Sequence, residues 1–405
     1  MNSSEKKPLD GLVVLDLTHM LSGPYGTMLL TDLGARTIKV EPPGTGEGTR
    51  KLLADEPEFS RDGMGAYFLT LNRSKESVAL DLKTEQGLAV FYDLVRHADI
   101  VFDNFSAGVP QRLCIDHKSL SAINQRIITC SVTGFGETGP ETQRPAFDQV
   151  VQAMGGGMSI TGDEKTGPIR SGIPIGDLGG GVFGAMGVMA ALVSRAATGR
   201  GQHVDVSMLD VQISMLNYMA TMHLMSGQVP EGIGNGHFVH VPYNAYPTAD
   251  GYVAVACIGD AFFERFLQML PLPELLDPAY KKQPARLANK AAIDRAIEGA
   301  FKQYPSLYWL GKLREARIPC GPVNNFEQAL TDPQILARDM VVTVELGTGE
   351  KVRMPGNPIK FSETSATYYG APPGLGQHSR SVLSSMLGYS QSRIEALCQA
   401  GFVGG

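Results

Sequence analysis

The sequence predicts an α/β protein, with a doubly wound parallel sheet in a large domain and a smaller α+β domain beside it. Three observations carry this. The first 135 residues alternate short unbroken apolar runs with segments of helical period, the pattern of buried parallel strands and their crossover helices. The pattern changes at Gly227, where a glycine-rich loop precedes a strand and several helices. Ile318–Val323 (IPCGPV) then marks a return to the first domain. The expected division is a large domain over 1–226, completed by 326–405, and a small domain over 227–325.

The elements follow in order. Leu12–Leu17 (LVVLDL) reads as a buried strand, and Pro24–Leu33 as a helix stopped by Gly34. Thr37–Val40 and Ser77–Leu82 are the next strands. Thr84 can cap a helix whose apolar face is Leu88, Phe91, Leu94 and Val95. Ile100–Phe102 and Ile127–Val132 supply two more strands. Parallel sheets of this kind bind ligands beyond the carboxyl ends of their strands. That directs attention to Thr18–Pro24, Glu41–Arg50, Asn104–Arg112 and Thr133–Pro140. Gly179–Ala197 is a Gly/Ala-rich helix able to lie very close to a neighbour, and Thr198–Val204 (TGRGQHV) turns into a short strand. Met208–Met225 is a long helix whose methionines read as core filling. Tyr252–Ala256 is a strand of the small domain. Met340–Phe361 has strand character, and the tail after Pro372–Gly374 is helical.

Composition excludes several classes. Thirty-five Lys and Arg against 41 Asp and Glu give a formal charge of −6, which argues against a nucleic-acid binder. Forty-seven of 405 residues are glycine, without period, which points to close backbone approaches rather than to a fibre. Five scattered cysteines, with no CxxC, read as reduced thiols of a cytoplasmic protein. The N-terminal MNSSEKKPLDG has no apolar run behind its lysines, so no secretory signal is read there. Leu178–Ser194 carries no charge but holds five glycines between Asp177 and Arg195, and reads as a buried core helix rather than a membrane span.

No HExxH, GxSxG or Walker loop is present. His237 and His240 stand in a glycine-rich loop without a carboxylate pair, so no metal site is expected. GTGEGTR (Gly44–Arg50) lacks the glycine spacing of a dinucleotide fingerprint and follows the second strand, so a nicotinamide enzyme is remote. The unusual segment is IRSGIPIGDLGGG (Ile169–Gly181). Its lone Asp177 sits between Gly176 and Gly179–Gly181, just before a helix. Glycines leave a carboxylate approachable and can expose N–H groups to an oxyanion, as a covalent nucleophile requires. From the residues alone, capping the helix that follows is the commoner job for an aspartate there.

Beyond these local readings, the chain resembles the class III CoA-transferase family, that of formyl-CoA transferase and carnitine CoA-transferase. The likeness runs from PLDGLVVLDLTHMLSGPYGTMLLTDLGARTIKVEPP through LNRSKESVALDLKT, DNFSAGVPQRL, GFGETGP and RPAFDQVVQAMGG. It continues through the Asp177 segment, TGRGQHVDVSM, IPCGPVN and DPQILARDM to PPGLGQHS. Order and spacing together make it specific. The resemblance implies an acyl-CoA donor, a carboxylic acid acceptor and Asp177 as covalent nucleophile, by way of an aspartyl anhydride and an aspartyl-CoA thioester. CoA is then a substrate, and no permanent cofactor or metal is needed. The resemblance assigns CoA contacts to Lys75 and Arg112, then to Arg73 and Lys39, with His19 near the CoA sulfur. It also implies an interlocked homodimer. Formyl-CoA transferase carries an arginine where Pro42 stands and a glutamine where Leu21 stands, which speaks against formyl or oxalyl specificity here. Loop Gly234–Tyr246 offers His237, His240 and Tyr243 as donors to a second carboxylate, so a C4–C5 dicarboxylate acceptor is expected. Two rivals are an α-methylacyl-CoA racemase and a non-catalytic CoA-binding subunit. Phe147 stands where the racemase histidine would, and the presence of Asp177 argues against a silent subunit.

Overall fold

The computed structural model describes residues 7–364 and 369–404; the polar N-terminal run before Lys7 lies outside them. The chain folds as two compact units. The first comprises 1–157, 170–226 and 334–405, the second 158–169 and 227–333.

The first unit is built on a seven-stranded sheet. Six strands run parallel: β1 (Val13–Asp16), β2 (Arg36–Glu41), β3 (Glu76–Leu80), β4 (Ile100–Asp103), β5 (Ile128–Thr133) and β6 (His203–Ser207). Their spatial order is 3-2-1-4-5-6, and Val403–Gly404 pairs antiparallel on the outer edge of β3. This is the doubly wound order, whose switch point lies between β1 and β4. Alternation along each strand divides the core in two. Val14, Ile100 and Phe102 face one cluster, Leu15 and Val101 the other. Both faces are therefore covered, which is why these strands read as unbroken apolar runs.

On the first face lie α1 (Ser22–Asp32) and the long helix that carries Asp177. On the other, α3 (Glu85–Val95) packs through Val90, Phe91, Leu94 and Val95, and its Thr84 cap accepts from Gly87 N–H at 3.1 Å. Between them in sequence sits the short α2 (Ala66–Leu71). Beyond α3 come α4 (Val109–Arg112), α5 (Asp148–Met154), α6 (Ile175–Thr198) and α7 (Met208–Ser226), which is broken at Asn217. Gly34, at φ 109°, ends α1 as its position suggests. α6 is long and apolar enough to cross a membrane by length and composition. One face of it is buried through Gly180, Gly184, Val188 and Ala191, while Val182, Met186 and Val193 are exposed on the other. The segment read as a buried core helix is thus buried on one side and exposed on the other.

The second unit centres on a three-stranded antiparallel sheet, Cys320–Pro322, Tyr252–Ala256 and Tyr243–Pro247. Its core gathers Tyr246, Val253, Val255, Ile297, Leu313 and a stacked Phe301–Trp309 pair 4.3 Å apart. Segment 158–169 joins this unit because Gly162 O accepts from Gly234 N–H at 2.7 Å and Gly232 packs against Gly162. Nothing in the local composition of 158–169 marks that excursion.

The contact between α1 and α6 is made at backbone distance. A Cβ on Gly181 would stand 2.5 Å from Ser22 O and 3.0 Å from Gly26 N; one on Gly26 would stand 2.8 Å from Gly181 O. Neither neighbour can yield, being main chain. Gly181→Ala is expected to cost about 1–3 kcal/mol, the scale of overpacking a filled core, and to lower the melting temperature by several degrees. Gly172→Ala, whose new Cβ meets nothing within 4 Å, is the matched control and should leave it unchanged.

Candidate active site

Asp177 lies in the first turn of α6, half-buried. The first N–H groups of a helix have no partner within it, and a side chain must take them. Here they go to Asp148 at the start of α5. Its Oδ1 accepts from Gly176 N–H at 2.7 Å and from Asp177 N–H at 3.3 Å. Gln152 steadies the arrangement, donating to Asp148 Oδ2 at 2.7 Å and accepting from Ser171 N–H at 2.9 Å. The cap position of α6 is Pro174, which brings no capping side chain. Asp177 therefore does not cap its own helix. Its carboxyl is pushed up to about 6 by burial, and secondly by the charge of Asp148. It remains ionised at neutral pH and is more basic than an ordinary aspartate.

The glycines after Asp177 do a different job from the one the sequence suggests. Gly180 and Gly181 lie inside the helix, where their N–H groups bond back along it, so they offer nothing to an oxyanion. What they supply is room for α1. A Cβ on Gly180 would meet Ser22 Oγ at 2.9 Å. Residues three and four apart share a helix face, so the start of α1 stands on the same face of α6 as Asp177.

Tyr67 on α2 joins this group. Its phenol is held above the ordinary range by burial, then by the charges of Asp177, Asp148 and Glu47. Sequence reasoning singled out neither Tyr67 nor Asp148 as functional. Only the fold brings α2, α5 and α6 to one place, and no local pattern marks the first two.

The residues assigned to CoA fall into two groups. Lys75, Lys39 and Arg73 are engaged inside the fold. The Lys75 ammonium donates to Asp16 Oδ2 at 2.8 Å, to Thr27 Oγ1 at 2.9 Å and to Asn72 Oδ1 at 3.0 Å. Burial pulls it down to about 8, against the opposing pull of Asp16. Asp16 in turn is buried, yet Lys39 and Lys75 outweigh that and hold it well below the carboxylate range. The Lys39 ammonium, fully buried, donates to Thr18 O at 2.8 Å. Arg73, 1% exposed, pairs in bidentate fashion with Asp32 at 2.7 and 3.1 Å. None of the three presents its charge at the surface. Buried paired cations are uncommon, and a sequence does not distinguish them from solvated ones.

Arg112 and His19 are placed differently. Arg112 ends α4, exposed, beyond the carboxyl end of β4. His19 follows β1, with its ring 5.2 Å from that of Phe105. Burial, then the charge of Lys39, pulls its imidazole down to about 4, so it stays neutral. His237, His240 and Tyr243 form a cluster in the second unit, with the His237 ring 4.7 Å from His240 and 4.9 Å from Tyr243. His237 Nδ1 accepts from the N–H groups of Val239 and His240. Among the described residues no three His, Cys, Asp or Glu side chains converge as metal ligands.

The model of CoA-transferase family III matches residues 9–379. The acetyl-CoA:oxalate CoA-transferase of Acetobacter aceti is 41% identical over 359 residues, 88% of this chain and 90% of that protein. The succinyl-CoA:glutarate CoA-transferase of Homo sapiens is 34% identical over 398 residues, 98% of this chain and 90% of that one. A crystal structure of a CAIB/BAIF family protein from Brucella suis superposes with a TM-score of 0.82 at 34% identity, covering 94% of this chain and 99% of that one.

The carboxyl of Asp177, followed by isotope-edited infrared or carbon NMR, should titrate near pH 6. Asp148→Asn keeps an oxygen for the Gly176 and Asp177 N–H groups but removes a charge, so the midpoint should move down toward an ordinary aspartate. An unchanged midpoint would remove Asp148 from the electrostatics of the site.

Proposed function

The chain belongs to CoA-transferase family III, and from that premise we propose that it moves CoA from an acyl-CoA to a dicarboxylic acid through covalent intermediates on Asp177. An Asp177 oxygen attacks the thioester carbonyl. The C–S bond breaks, CoA leaves as thiolate, and a mixed anhydride remains. The thiolate attacks the aspartyl carbonyl, which frees the donor acid and leaves an aspartyl-CoA thioester. The acceptor carboxylate attacks that thioester and expels thiolate. The thiolate then takes the acceptor's acyl carbon, and Asp177 is regenerated. The overall reaction exchanges one thioester for another of similar energy, and dividing the transfer in this way is the gain from a covalent intermediate.

The observation that carries this reading is an uncommitted, half-buried carboxylate whose expected capping duty another aspartate performs. Tyr67, a phenol that burial and then the surrounding carboxylates hold above its ordinary range, is a donor available to an oxygen that develops charge there. For the donor, Arg112 is our phosphate ligand, with His19 toward the sulfur end. Lys75 and Lys39 act from beneath, as a buried positive floor under the loop after β1, rather than as direct ligands.

For the acceptor we favour a C4–C5 dicarboxylate, with His237, His240 and Tyr243 as candidate donors to a carboxylate. The relatives named for oxalate and for glutarate support a diacid, of which only the succinyl and glutarate of the second fall in the C4–C5 range, and the polar loop supplies donors. We also place the chain in the cytoplasm, as an interlocked homodimer. In support of the dimer, α6 and α7 leave large apolar side chains exposed, Val193 (72%), Leu224 (82%) and Met225 (84%), which a second copy could cover. A monomeric mass by light scattering would remove that part.

Asp177→Ala should lower turnover by about 10³-fold or more, the scale for losing a covalent nucleophile; near-wild-type turnover would overturn the assignment. In a panel of oxalate, succinate, glutarate and monocarboxylates, the C4–C5 diacids should react fastest. Turnover with monocarboxylates alone would refute the acceptor class.

A further inference from the structure

The switch point between β1 and β4 is closed by one side chain. Asn104, the first residue beyond β4, places its carboxamide against the peptide groups of His19 in the loop after β1. Its Oδ1 accepts from His19 N–H at 2.7 Å, and its Nδ2 donates to His19 O at 2.8 Å. Both polar groups of His19's main chain are thereby satisfied by a single residue from a different strand. Asn104 is itself held on both sides in sequence. Asp103 accepts from Phe105 N–H at 3.1 Å and from Ser131 Oγ at 2.8 Å, which fixes the exit of β4. The Phe105 ring rests on that of His19.

The loop held in this way is short and leads straight into α1. Thr18 O is taken by Lys39 and Met20 N–H by Glu47, at 3.3 Å. Met20 stands at φ 62°, a conformation that side chains other than glycine adopt only when their surroundings impose it. α1 follows with Leu21 at its cap position, which makes no side-chain capping bond. Its first residue, Ser22, packs on Gly180 and Gly181, on the face of α6 that carries Asp177. A displacement of His19 therefore moves the start of α1 relative to the nucleophile.

We propose that Asn104 is the positioning residue of this site: its two-way bond to His19 fixes the loop after β1, and with it the start of α1, at the geometry in which an acyl-CoA meets Asp177. The inference rests on the transferase reading above. In this role Asn104 acts through His19, whose N–H and C=O its carboxamide engages. Misplacing reacting groups by about 1 Å can cost 10²-fold in rate, and that is the scale at stake.

The test uses the full-length protein. Asn104→Ala removes both bonds, and Asn104→Asp keeps the acceptor for His19 N–H while losing the donor to His19 O. Hydrogen exchange of peptides covering residues 17–21 reads the loop directly. Steady-state kinetics with the best acyl-CoA reads its consequence. Asn104→Ala should speed exchange of that segment and lower kcat/KM for acyl-CoA about ten- to a hundredfold. Asn104→Asp should fall between it and the wild type in both readouts. If Asn104→Ala folds but keeps wild-type exchange and kcat/KM, the proposal is wrong. It is equally wrong if Asn104→Asp behaves as wild type in both while Asn104→Ala merely loses melting temperature. A wild-type chain inert with every acyl-CoA would strike the transferase reading instead, and the exchange measurement would still decide whether Asn104 holds the loop.

Discussion

The site depends on two helices meeting at backbone distance. α1 and α6 come from distant parts of the sequence, yet Gly26 and Gly181 let their main chains touch. No side chain could stand between them. The contact sets where the loop after β1 ends, because that loop is the lead-in to α1. It also sets where Asp177 begins, because Asp177 is one turn before Gly180 and Gly181. The parallel sheet supplies the platform, and the glycine contact brings its switch point to the nucleophile.

Electrostatics then divides labour between two aspartates on different helices. Asp148 takes the unpaired N–H groups at the start of α6 and is fixed by them. Asp177 is left with a carboxylate that is partly buried, near a like charge, and without a hydrogen bond of its own among the described residues. Burial raises its affinity for a proton, and basicity and nucleophilicity rise together in a carboxylate. The opposite balance holds at Asp16, where two buried lysines outweigh burial and keep the charge. Two aspartates of one chain thus differ because their neighbours differ.

Much of this was legible in the sequence, for definite reasons. Strands covered on both faces leave unbroken apolar runs, so β1, β2, β4 and β5 could be placed. Gly34 and Thr84 mark helix ends by local chemistry that needs no tertiary context. Asp177 stood out because glycines flank it. What stayed hidden depends on the fold. The capping of α6 by Asp148 crosses from one helix to another, and so the two roles open to Asp177 could not be separated. The glycines after it look like an oxyanion cradle and are a packing surface. Lys75, Lys39 and Arg73 have the composition of phosphate ligands, yet each is buried against a partner far away in sequence. Tyr67 carries no motif, and Asn104, although it lies in a segment the sequence flags, gives no sign there of its bond to His19. Segment 158–169 belongs to the second unit, where Gly162 meets Gly232 and Gly234, and no composition shift announces it.

The central claim is that the chemistry runs through the Asp177 carboxylate. Hydroxylamine added during turnover with a set of acyl-CoAs captures an activated aspartyl group as a stable hydroxamate, and peptide mass spectrometry locates it. The account predicts a hydroxamate on Asp177, dependent on acyl-CoA. Active protein that remains unmodified at Asp177 with every donor it turns over would contradict it.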